Sequence, residues 1–236
     1  MTIKPELIAL MVILLFVTVF LLVIRTNKKM SAEKTHQSTT LGFQAVTSSP
    51  TNLLARAENL FQRNDKQSIF IDNVFSRKEL DQELYIFDIH NSQSEDSEMG
   101  SEVFGVISSE LALPRFSMTT LPGFDRDSLM GILMDKLLDK VLSMAEKYQG
   151  MTRIEFPDNS DFGEAVIVFG EDQAAVRDLL QGIHIRSITD KSSPLHIAGI
   201  GDFLTVDFSM TSTMNNSERD LISQYQQFSQ IKRSFM

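Results

Sequence analysis

The 236-residue chain contains no cysteine and no tryptophan. Without cysteine there is no disulfide framework, no thiolate zinc site, no iron–sulfur cluster and no cysteine nucleophile. Tyrosine is scarce as well, 3 residues against 17 Phe and 12 Met. Phe and Met lack the polar tip that suits Tyr and Trp to contact surfaces, so the aromatic mass is expected in a core. Positive charge is the third shortage. Formal net charge is −9, and with Lys4, Glu6, Arg25, Lys28 and Lys29 set aside, 18 basic residues face 30 acidic ones from Met30 onward, a balance of −12. Such a body repels phosphate backbones, and no Lys/Arg cluster with interleaved aromatics follows Lys34. Nucleic acid is therefore not expected as a partner.

Motifs of catalysis are missing too. There is no phosphate loop of the GxxxxGK[ST] form and no GxSxG elbow, and none of His36, His90, His184 and His196 sits in an HExxH or HxH context. Gly199-Ile200-Gly201 begins like a dinucleotide fingerprint, but the third glycine position holds Leu204 and no helical pattern follows. Glu95, Asp96 and Glu98 do not match the spacing of a calcium loop. Asp125 with Asp127, and Asp158 with Asp161, fall in turns or beside helix starts, where capping accounts for them. No cofactor and no metal are expected.

What the chain does have is one long apolar run. After a short tail, residues 1–6, every residue from Leu7 to Ile24 except Thr18 is apolar. A helix of that length rises ~27 Å at ~1.5 Å per residue, close to the thickness of bilayer hydrocarbon, so a transmembrane helix is expected over 7–24. No small-x-small cleavage site follows, because Ala32 is preceded two positions earlier by bulky Met30, and the anchor is expected to be retained. Only Lys4 and the terminal amine precede the run, whereas Arg25, Lys28, Lys29 and Lys34 follow it. Cations favour the cytoplasmic side, so the remainder of the chain is expected to face the cytoplasm.

Beyond a polar juxtamembrane linker over 25–40, the pattern over 41–236 predicts an α+β domain of antiparallel strands packed with a few amphipathic helices. Alternation predicts a strand over Leu41–Val46, and helical spacing of Leu53, Leu54, Ala57, Leu60 and Phe61 predicts a helix. Gln67–Arg77, Glu83–His90 and Glu102–Ser109 read as a meander, at least part of the middle strand buried on both faces. Leu113–Thr119, with Pro114 near its start, reads as an edge strand. A stripe from Met130 to Tyr148 predicts a helix over 127–149 that could join two subdomains, 41–124 and 151–214. Further strands are expected at Met151–Phe156, Ala165–Phe169, His184–Ile188, Leu195–Ala198 and Phe203–Phe208, with a helix after the acids Glu171 and Asp172. A last helix is expected from near Asn215, with Ser217 and Asp220 as a capping box and Leu221, Tyr225, Phe228 and Ile231 on one face.

Leu84-Tyr85-Ile86-Phe87-Asp88, Leu113-Pro114-Arg115-Phe116-Ser117-Met118-Thr119, and Phe162 with Val168-Phe169-Gly170-Glu171-Asp172 and Ala175-Val176-Arg177 together resemble a family of uncharacterised bacterial membrane-associated proteins. That family carries a YDYRYT-like strand and an LPxFxLRP-like motif. The likeness covers about Ile69 to Leu180 and departs where an Arg and a Pro would follow Thr119. It implies a soluble α+β module often tied to a membrane segment, with no activity attached; the expected location is the bacterial inner membrane. The functional expectation is a single-pass, non-enzymatic domain that contacts the lipid bilayer through its anchor and a protein partner through its C-terminal helix. Deleting Ser217–Met236 distinguishes a free helix from a core one. The alternative is a ligand-binding domain or hydrolase with a site assembled from distant residues, for which His184, His196 and Asp202 are the candidates.

Overall fold

Four consecutive residues, Leu84 to Phe87, are all buried. A strand points successive side chains to opposite faces, so such a run requires cover on both sides of the sheet. The computed structural model describes residues 18, 25, 31–47, 50–61, 68–91, 101–120, 151–156, 166–183, 195–208 and 220–236. It divides into two compact units, Met1–Gly42 and Phe43–Met236. Among the described residues no helix is long and apolar enough to cross a membrane. The apolar run 7–24 lies outside them except for Thr18, as do the helix expected over 127–149, the strand expected over His184–Ile188 and the acid pairs in the loops.

In the first unit, residues 31–40 form a helix, α1, within the stretch expected as a polar linker. It ends at Gly42, whose φ of 81° is the left-handed conformation that closes helices, with Leu41 N–H donating to the Gln37 carbonyl at 3.0 Å.

The second unit is α+β. Its strands are β1 (Gln44–Ala45), β2 (Ile69–Glu79), β3 (Gln82–Asn91), β4 (Ser101–Ser108), β5 (Leu113–Thr120), β6 (Thr152–Ile154), β7 (Val166–Gly170), β8 (His196–Gly201) and β9 (Phe203–Asp207). Its helices are α2 (Thr51–Phe61), α3 (Gln173–Gln181) and α4 (Leu221–Phe235). The nine strands among the described residues join one sheet in the order β1-β2-β3-β4-β9-β8-β5-β7-β6, and every neighbouring pair is antiparallel. Strands from 41–124 and from 151–214 are therefore interleaved, because the β8–β9 hairpin is inserted between β4 and β5.

That insertion corrects the reading of β5 as an edge strand: it pairs with β7 on one side and β8 on the other. Pro114 is tolerated because the β5–β8 register shifts between Leu113 and Phe116, so the missing N–H falls at an irregularity in the ladder. The close fit of β8 against β5 also explains Gly199. A Cβ there would lie 2.7 Å from Leu113 Cδ1 and 2.8 Å from Phe116 Cε1. The strand expected over Leu41–Val46 shortens to β1, whose two residues are both exposed.

Directly opposed residues of an antiparallel pair share a face, which assigns the helices. On one face α2 lays Leu53, Ala57 and Leu60 against Ile71, Tyr85, Phe87, Val103 and Phe203. On the other, α4 brings Phe228 against Phe104 and Phe235 against Phe116, at 5.4 and 5.6 Å between ring centroids. α3 joins α4 on this face, since Gly170 opposes Phe116 and a Cβ on Gly170 would meet Val176. Its N-cap is Asp172, whose carboxylate accepts from the N–H groups of Ala174 and Ala175. α4 begins at Leu221, later than expected, with Asp220 itself as the cap. Residues 209–219, including Ser217, lie outside the described residues.

Candidate functional site

On the α2 face, the stretch of sheet made by β5, β8 and β9 carries polar residues where apolar ones would pack. Strand alternation places Ser117 and Thr119 of β5 on this face, opposite in direction to Phe116 and Met118. β8 runs beside them with His196 opposite Thr119 and Ala198 opposite Ser117. β9 follows with Asp207 opposite His196 and Thr205 opposite Ala198. The diagonal from Ser117 to His196 is closed by a hydrogen bond of 2.8 Å between Oγ and Nε2. Ser117, Thr119 and Thr205 are buried and His196 and Asp207 half-buried. Thr205 Oγ1 donates to the Ala198 carbonyl at 3.1 Å, and Thr120 closes the strand end by accepting from Leu195 N–H at 2.8 Å. A buried hydroxyl in contact with an imidazole is either a satisfied structural pair or a nucleophile with its base.

Asp202 is elsewhere. It stands in the turn between β8 and β9 after Gly201, whose φ of 57° makes the turn tight. Six positions of extended chain, ~20 Å at ~3.3 Å per residue, separate it from His196, so the two do not form one site. Asp202 instead takes a two-pronged pairing from Arg56 of α2, Nε to Oδ1 at 2.8 Å and Nη2 to Oδ2 at 2.5 Å. The hydrogen bond from Arg56 holds the Asp202 carboxyl below the usual carboxylate range. The pair ties α2 to the hairpin turn, and the turn in turn accepts Ser108 N–H at the Asp202 carbonyl, 2.9 Å away. Beside it, buried Tyr85 donates its hydroxyl to Glu83 Oε2 at 2.7 Å. Burial first, then this bond, pushes the Tyr85 phenol up to about 12.

The third candidate, His184, lies outside the described residues. His36 is exposed on α1, and His90 Nε2 sits 3.1 Å from Asp72 Oδ1 on the β2–β3 pair. Among the described residues no group of three or more His, Asp or Glu is placed to hold a metal ion. Ser117 is the residue sequence reasoning missed. Its alternation with Phe116 and Met118 signals the shared face with Thr119, but only the register of a strand about 80 positions away reveals the imidazole.

A further feature lies at the end of the β2–β3 hairpin. Leu80 is 98% exposed with a φ of 37°, and an open cleft of about 410 Å³ beside it is lined by Asn52, Lys78, Gln82, Glu83 and Ser109. Gln82 contacts the end of α4: its Oε1 accepts from Lys232 Nζ at 2.8 Å and its Nε2 reaches Met236 Sδ at 3.4 Å. No protein-family model, curated protein or solved structure matches the chain.

Proposed function

We propose that the chain is a single-pass, membrane-tethered protein-interaction or accessory domain, held at the bacterial inner membrane with the domain facing the cytoplasm. The apolar run Leu7–Ile24 supplies the anchor, and the cations that follow it supply the orientation. The resemblance to bacterial membrane-associated proteins agrees with a tether and adds no activity. The observation that carries the interaction reading is the exposure of two apolar residues, Leu80 in the β2–β3 turn and Met236, whose Sδ lies 3.4 Å from Gln82 Nε2 at the start of β3. A bulky side chain at positive φ costs on the order of 1–2 kcal/mol, and fully exposed Leu80 recovers none of it by burial in its own chain. A partner surface that buried it would. The partner contact expected of the C-terminal helix thus narrows to its end, because Leu221, Phe228, Ile231 and Phe235 are buried in the domain itself.

Protease protection of a C-terminally tagged chain in sealed and opened cells tests the tether: digestion from outside would place the domain in the envelope and reverse the orientation. Photo-crosslinking from position 80 tests the surface. A discrete protein adduct is expected; an equal yield from exposed position 220 would remove the surface from consideration.

A second reading, a ligand site assembled from distant residues, is favoured by the Ser117–His196 contact between residues 79 positions apart.

A further inference from the structure

We propose that Ser117 is a nucleophile toward carboxylic esters with an apolar acyl group and that His196 is its base; this rests on the second reading above. The Oγ to Nε2 separation of 2.8 Å is the working distance of a nucleophile and its base. Asp207 occupies the register position opposite His196 on β9, the side away from β5, where a carboxylate can orient an imidazole. The acyl preference comes from the neighbours that share the face. Ser117 opposes Phe169 on β7 and Ala198 on β8, and Thr119 opposes Ile167, so the side chains beside the nucleophile on this face are apolar and buried.

In the first step Ser117 Oγ bonds to the ester carbonyl carbon while its proton passes to His196 Nε2. The carbonyl re-forms as the carbon–oxygen bond to the alcohol breaks, and His196 returns the proton to the departing alkoxide. Water, giving its proton to His196, then attacks the acyl group, and the carboxylic acid leaves as Ser117 regains its hydrogen. The β5 backbone at Ser117 lies within the β7 and β8 ladders, so strand N–H groups are not set aside to hold an oxyanion. The acceleration is accordingly that of base assistance, ~10²–10⁴-fold.

The test uses the full chain in detergent micelles, with a fluorophosphonate probe and p-nitrophenyl butyrate, adducts being located by peptide mass. One adduct on Ser117 is expected, absent in Ser117→Ala and formed about 10²-fold more slowly or worse in His196→Gln. A folded wild-type chain with no Ser117 adduct at millimolar probe overturns the assignment, as does an unchanged rate in His196→Gln. Should that variant fail to fold, a wild-type labelling rate that does not fall on acidification has the same force. Titration with butyrate, read on the His196 imidazole resonances, separates the two levels: a saturable shift without an adduct removes the nucleophile and leaves a ligand site, and neither removes both.

Discussion

Phe116 and Ser117 are neighbours in the chain and belong to different worlds in the sheet. Phe116 points to the α4 face and stacks on Phe235. On the same face Phe104 meets Phe208 and Phe228, and the Arg77 guanidinium lies between the rings of Phe43 and Tyr225, 5.4 and 5.2 Å from their centroids. Ser117 points to the α2 face and meets an imidazole. One strand thus divides its residues between a face built of ring contacts and a face with a polar stripe. Period-two alternation makes this possible at no cost in backbone geometry. The teaching is that the ring contacts and the hydroxyl–imidazole contact of β5 lie on opposite faces, and substitutions in this strand should respect that division.

The largest expected effect comes from breaking the packing face. Phe104 is fully buried among three rings, and Phe104→Ala should cost about 3–5 kcal/mol through lost burial and an unfilled cavity. Urea unfolding followed by circular dichroism would measure it, and a cost below about 1 kcal/mol would show that the aromatic cluster is not a core. Deletion of Ser217–Met236 is expected to abolish solubility for the same reason, since it uncovers Phe104 and Phe116. A soluble, cooperatively folding truncation would reverse that conclusion.

Next in size is a pH effect on the α2 face. Tyr85 is neutral in the folded chain up to about 12, against an ordinary value near 10. The folded state therefore binds the proton more tightly than the unfolded state. The resulting stability is complete below pH 10 and is lost as pH rises from 10 toward 12. Two units correspond to about 2–3 kcal/mol at most. Tyr85→Phe should remove that part of the alkaline decline, measured as the difference between urea midpoints at pH 9 and 11.5 in the two chains. Identical declines would place the loss in other groups.

Much of this division was legible in advance. The run Leu84–Phe87 declared a strand covered on both sides, Asp172 declared a helix start, and the stripe of Leu221, Phe228 and Ile231 declared a helix with a face to bury. Each signal is local, carried by residues within a few positions of one another. The topology was not legible, because nothing in β4 or β5 records that a hairpin from 196–207 will be inserted between them. Pro114 pointed toward an edge and was absorbed by a register shift instead. The site failed for the same reason: His196 finds Ser117 at a separation of 79 positions through strand order, and Asp202 finds Arg56 at 146 through the docking of α2 on the sheet.

The smallest effect is the sharpest test of the comparison. Ser117→Ala keeps the strand, removes one hydroxyl and leaves the His196 ring without that contact. If the polar stripe is separate from the packing of the domain, the loss should be about 1 kcal/mol, the net worth of a typical intramolecular hydrogen bond. Phe116→Ala, one residue away and on the other face, should cost several times more, about 3–5 kcal/mol. The two variants share the same ladder with β7 and β8, so their difference isolates the faces from the backbone. Comparable losses from both would mean that the hydroxyl–imidazole contact is a structural element of the sheet, and the division of labour between the faces would not stand.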